Sequence, residues 1–78
     1  MSGGGAAQGG GSVVVTVNGE RHEVAPGTTV ASLLDRLGTE GRGVAVAVDG
    51  EVVARSSWPE HELAPGARVE ILSIARGG

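Results

Sequence analysis

Cysteine, lysine, phenylalanine and tyrosine are all missing from this 78-residue sequence, and Trp58 is its one aromatic residue. Without cysteine there is no disulfide, no thiol nucleophile and no thiolate metal site. A single tryptophan leaves no aromatic series on which bases could stack. The basic residues are six arginines, scattered at 21, 36, 42, 55, 68 and 76, and the net charge is −3. No basic patch neutralises phosphates, so nucleic acid is excluded as the expected partner. No apolar run is long enough to span a membrane, and the first residues show neither the basic region nor the apolar core of a signal peptide. A cytoplasmic location is therefore expected. His22 and His61 have no metal-like spacing, and no Gly-x-x-x-x-Gly-Lys-Ser/Thr run is present, so neither a metal site nor a phosphate loop is assigned.

What remains is a chain for one small domain whose core must be built from Val, Leu, Ile and Ala. A domain of this size hides only about 60% of its unfolded surface, so little margin is available. Residues 1–12 hold six glycines and no large apolar side chain after Met1. Such a segment cannot bury enough surface to offset its ordering entropy, and it reads as a disordered tail outside the fold. Residues 13–78 form the domain. Val13 to Val17 is β-branched throughout and suits an extended backbone. Asn18-Gly19 predicts a two-residue hairpin turn, and Glu20 to Val24 returns as the second strand until Pro26-Gly27 breaks it. Val30, Leu33, Leu34 and Leu37 recur at i, i+3, i+4 and i+7, one apolar face of a short helix capped by Thr29 and stopped by Gly38. Val44, Val46 and Val48 then face one way, with Ala45 and Ala47 on the other. Asp49-Gly50 predicts a second tight turn. The pattern lapses around Trp58-Pro59 into an irregular or single-turn segment, and a last strand begins near Arg68 after Pro65-Gly66. The order β-β-α-β-β-β predicts an α+β fold, a mixed sheet of about five strands with one main helix on one face, in a β-grasp arrangement.

The last ten residues, Val69 to Gly78, read as a strand that runs out of side chains at Gly77-Gly78. No side chain elsewhere looks catalytic, which turns attention to the terminal carboxylate of Gly78. Gly77 and Arg76 would form the arm that carries it. Leu72 and Ile74, with Ala45 and Ala47 across the sheet, are candidates for an exposed apolar surface that docks partners. Trp58 is expected to pack over the sheet edge, and Arg55 to be solvated.

Taken together, Asn18-Gly19, Thr29-Val30-x-x-Leu33-Leu34, Val44-Ala-Val-Ala-Val-Asp-Gly50, Val52-Val-x-Arg55-x-x-Trp58, Gly66-x-x-Val69-Glu-Ile-Leu and the closing Gly77-Gly78 resemble the ubiquitin-like β-grasp sulfur carriers of the thiamine-biosynthesis ThiS family. The resemblance covers residues 13–78 and rests on the order and spacing of motifs that are individually common. Ala54 departs from the Pro often found there, and Arg76 alters the approach to Gly-Gly. The resemblance implies a carrier rather than an enzyme. An E1-like adenylating enzyme would use ATP and Mg to activate Gly78, with no cofactor bound by the chain itself. A desulfurase or rhodanese-type protein would supply sulfur, giving a thiocarboxylate. Thiazole synthase would consume it in building the thiazole ring. The chain alone is expected to be a monomer. Two other roles stay open at this point: the small subunit of molybdopterin synthase, and a ubiquitin-like modifier of target amines. The residues before Gly77, Ile71-Leu-Ser-Ile-Ala-Arg76, lack the aromatic, Pro-containing run usual in the former. The absence of Lys precludes Lys-linked polymers of the chain by itself.

Overall fold

The computed structural model describes residues 11–39 and 43–73. The expected tail up to residue 10, part of the loop after the helix, and Ile74 to Gly78 lie outside the described residues. Strands β1 (Val13–Val17) and β2 (Glu20–Val24) form an antiparallel hairpin. Its turn uses positive φ at both Asn18 (50°) and Gly19 (84°), the twist that keeps hairpin strands paired. The same device recurs at Asp49 (52°) and Gly50 (87°), which join β3 (Val44–Val48) to β4 (Glu51–Val53). A single 3₁₀ turn, Arg55–Ser57, follows, and β5 (Arg68–Ser73) closes the described chain.

The sheet order is β2-β1-β5-β3-β4. The last strand is therefore the central one, parallel to β1 and antiparallel to β3. The exposed edge strand β2 carries Glu20, Arg21 and Glu23 on solvent-facing positions, charges that discourage pairing with another chain.

Helix α1 (Val30–Arg36) lies on one face, and seven residues cannot sustain a helix unaided. Its ends show what holds it. The amide of Val30 donates to the His61 carbonyl (2.9 Å), Ala31 to the Trp58 carbonyl (3.1 Å) and Leu33 to the Thr29 carbonyl (2.9 Å). The Thr29 hydroxyl accepts from the Ser32 amide at 3.1 Å. Leu33 thus opens the regular ladder, and the three helical amides before it, which no helix carbonyl can serve, are satisfied, two of them by a distant segment. At the other end Gly38 takes φ 73°, with Thr39 N–H on the Leu34 carbonyl and Gly38 N–H on the Asp35 carbonyl. That double bond pattern is the Schellman stop, for which a left-handed residue is needed.

Val30, Leu33 and Leu34 from the helix meet Val15, Val17, Val24, Val46, Val48, Val53 and Val69 from the sheet. Each such side chain, fully buried, stabilises by about 1.5–3 kcal/mol. Among the described residues no polar or charged side chain is buried. Trp58 joins this core as expected, and its indole N–H donates to the Val53 carbonyl at 3.0 Å. Arg55 stays exposed and lies 5.9 Å from the centre of the indole ring.

Candidate functional site

The inward positions of β3, β4 and β5 are Val46, Val48, Val53 and Val69, so alternation sends Ala45, Ala47, Val52, Glu70 and Leu72 to the face away from the helix. Ala45 lies opposite Leu72, and Ala47 has Glu70 on one side and Val52 on the other. Side chains paired in this way sit about 5 Å apart, so they form one contiguous surface. Leu72 is 58% exposed and Val52 78% exposed, the two large apolar side chains most open to solvent among the described residues. Ala45 is half-buried. Ala47 faces the same way but is buried, because its methyl is sunk between the longer Glu70 and Val52. The apolar surface therefore consists of Leu72, Ala45 and Val52, with Ala47 as its floor. Val52 was missing from the sequence reading. The signal was present in Glu51-Val-Val53, where one valine of the pair must point outward. Ile74, Arg76, Gly77 and Gly78 lie outside the described residues.

The surface includes Leu72, on the strand next to the one that ends in the Asn18 turn. Two side-chain clamps hold β5 beneath it. The Asn18 side chain meets the backbone of Ile71 twice: its Nδ2 donates to the Ile71 carbonyl (3.2 Å) and its Oδ1 accepts from the Ile71 amide (2.8 Å). Its own amide donates to the Val69 carbonyl at 2.9 Å. At the other end of the strand, Asp49 Oδ1 accepts from the Arg68 amide (2.9 Å), and the Asp49 amide donates to the Arg68 carbonyl (2.8 Å). In the sequence Asn18 and Asp49 read as turn residues alone; the clamps come from pairing with a strand far along the chain.

Among the described residues there is no pocket and no group of three His, Asp or Glu side chains able to hold a metal ion. Nor is any described helix long and apolar enough to cross a membrane. What the outer face of β3, β4 and β5 carries is an apolar centre and one carboxylate, Glu70.

Comparison with known proteins places this arrangement. The family model described as ThiS family matches residues 15–78. The sulfur carrier protein ThiS of Escherichia coli is 28% identical over 64 residues, which are 82% of this chain and 97% of that protein. A thiazole synthase of Paramagnetospirillum magneticum is 34% identical over 64 residues, again 82% of this chain, but the chain spans only 20% of that protein's length. The crystal structure of the thiamine biosynthesis protein ThiS from Geobacter metallireducens superposes with a TM-score of 0.75 at 32% identity, covering 85% of this chain and all of that one.

Proposed function

This chain belongs to the ThiS family, and from that we propose that it is a sulfur carrier of thiamine biosynthesis whose working group is the carboxylate of Gly78. One observation carries the reading above the others: the family match runs without a break from the core strand β1 through Gly77-Gly78. The fold then has a simple task. It presents an apolar docking face on its central strand, and that same strand leads within a few residues to the reacting group.

A carboxylate is a poor acyl donor because its leaving group would be oxide. Attack of a Gly78 carboxylate oxygen on the α-phosphorus of ATP expels pyrophosphate and makes AMP the leaving group. The terminal sulfur of a donor persulfide then attacks the acyl carbon, and AMP departs with the former carboxylate oxygen. A thiol next cleaves the S–S bond of the acyl disulfide so formed, becoming part of a disulfide itself and leaving the outer sulfur on the carrier as a thiocarboxylate. The adenylating enzyme supplies the ATP and Mg site, and the chain acts as its protein substrate, with no turnover of its own. Gly77 and Gly78 lack a Cβ, so this stretch threads a channel too narrow for any side chain. Leu72, Ala45 and Val52 provide the apolar contact that seats the carrier on its partners, and Glu70 adds a charge that selects among them.

The match to a segment of a much longer thiazole synthase supports thiazole synthase as the acceptor of the sulfur. A desulfurase or rhodanese-type protein fits the role of donor, and all of these partners suit a cytoplasmic setting. The test is fragment-resolved mass spectrometry after incubation with an adenylating enzyme, MgATP, a sulfur donor and a thiol reductant. The expected result is replacement of one oxygen by sulfur on the C-terminal fragment, lost on deletion of Gly78 while thermal unfolding is unchanged. A bare carboxylate under these conditions overturns the proposal, and amide-linked adducts on other proteins would point to a modifier instead.

A further inference from the structure

We propose that Asn18 is a positioning residue for the reactive terminus: its side-chain amide acts as one more peptide of β1, fixing the backbone of β5 at Ile71, seven residues before Gly78. The inference rests on the reading of Gly78 as the group that is activated.

The argument starts from the ladder. Strand β1 pairs with β5 only as far as Val17 opposite Val69. The carbonyl of Val69 is taken by the Asn18 amide on the β1 side. Strand alternation then aims both the N–H and the C=O of Ile71 to that same side, two residues beyond the end of the ladder. Ile71 lies opposite Val46 in β3, but its peptide groups point away from that strand. The chain has meanwhile turned back through Asn18-Gly19, so no β1 peptide can reach them. The Asn18 side chain does reach them, offering one donor and one acceptor in the spacing of a peptide group.

The other turn shows that this is chosen chemistry and not merely a turn preference. Asn, Asp and Gly all tolerate positive φ at the first turn position. At Asp49 the side chain needs only to accept, since the Arg68 carbonyl is already satisfied by the Asp49 backbone amide, and a carboxylate suffices. At Ile71 both a donor and an acceptor are needed, and of these residues only asparagine supplies both. The two clamps also differ in place. Asp49 holds the start of β5, whereas Asn18 holds the point from which residues 72–78 can span at most about 25 Å. Loosening the Ile71 clamp lets β5 fray around Ile71, so a smaller fraction of the carrier presents Leu72 and Gly78 together. Apparent affinity for the partner falls by that fraction, while the bound complex reacts as before.

The experiment compares full-length wild type with Asn18→Gly, Asn18→Asp and Asp49→Gly in ATP–pyrophosphate exchange catalysed by the adenylating enzyme. Each glycine variant retains the turn geometry and removes one clamp. For Asn18→Gly we expect KM for the carrier to rise by up to about thirtyfold, the factor that corresponds to two hydrogen bonds of about 1 kcal/mol each, with kcat retained. Asn18→Asp keeps the acceptor and loses the donor, so it should fall between wild type and the glycine variant. Asp49→Gly should lower thermal stability and leave both constants unchanged. Exchange of the Ile71 amide, read by NMR, should quicken in Asn18→Gly more than in Asp49→Gly. Equal KM values for wild type and both Asn18 variants would overturn the positioning role while leaving the Gly78 reading intact. So would a KM rise in Asp49→Gly as large as in Asn18→Gly. Should Asn18→Gly lose the fold, Asn18→Asp decides alone, with an unchanged KM counting against the proposal. An inert wild type would remove the Gly78 reading, and this inference with it.

Discussion

The two faces of the sheet are made by the same five strands, and in β3, β4 and β5 neighbouring residues serve opposite ends. Val46, Val53 and Val69 turn inward and are almost wholly buried against the helix. Ala45, Val52 and Leu72 turn outward, and the last two are largely open to water. The residue types are nearly the same on both sides, so hydrophobicity alone does not separate core from surface. What separates them is the helix: α1 covers one face, and among the described residues nothing covers the other. An apolar side chain left on the open face gains little in folding, which is the condition under which it is free to contribute to docking instead.

That contrast can be broken most severely from the inside. Leu33→Ala removes a fully buried helix side chain from the centre of the core. It should cost about 2–5 kcal/mol, and with a Tm shift of about 4–8 °C per kcal/mol in a domain of this size the fall should be plain in a thermal melt. Activation of whatever remains folded should proceed normally. A loss smaller than 1 kcal/mol (about the value for a surface site) would contradict the packing described. Trp58→Phe is gentler, since the ring volume largely stays while the indole N–H that serves the buried Val53 carbonyl is lost. Chemical denaturation should show a loss of about 1–3 kcal/mol, the cost of leaving one buried group without its partner. On the outer face, Leu72→Asp should shift stability by no more than about 0.5 kcal/mol. Its effect belongs in the kinetics, as a raised KM for the carrier in adenylation. An unchanged KM would show that the outward apolar face does not dock this partner.

The local elements were legible because each is set by a few neighbouring residues. Asn18-Gly19 and Asp49-Gly50 adopt the positive φ that their turns demand, Pro26-Gly27 follows the end of β2, and Pro65-Gly66 precedes β5, as expected. Thr29 and Gly38 cap the helix at the places that the spacing of Val30, Leu33 and Leu34 indicates. The core was legible for the same reason, as the faces of elements of known period. The candidate site was legible in part. Leu72 and Ala45 do lie opposite one another across the sheet, but Ala47 is buried, and Val52 supplies exposed surface that the sequence reading had not assigned. Neighbouring strands decide such exposure, and their pairing is not written in any one segment.

The sequence by itself therefore determined the elements, their caps and turns, and which residues of each must share a face, since these follow from backbone sterics and hydrogen-bond partners a few residues apart. Tertiary structure alone decided three things. It placed the last strand at the centre of the sheet, between β1 and β3. It supplied the Trp58 and His61 carbonyls that complete the helix N-terminus. It turned Asn18 from a turn residue into a clamp on Ile71, 53 positions along the chain. Each depends on a peptide group finding a partner far away in sequence, and only the assembled fold brings those partners within hydrogen-bonding distance.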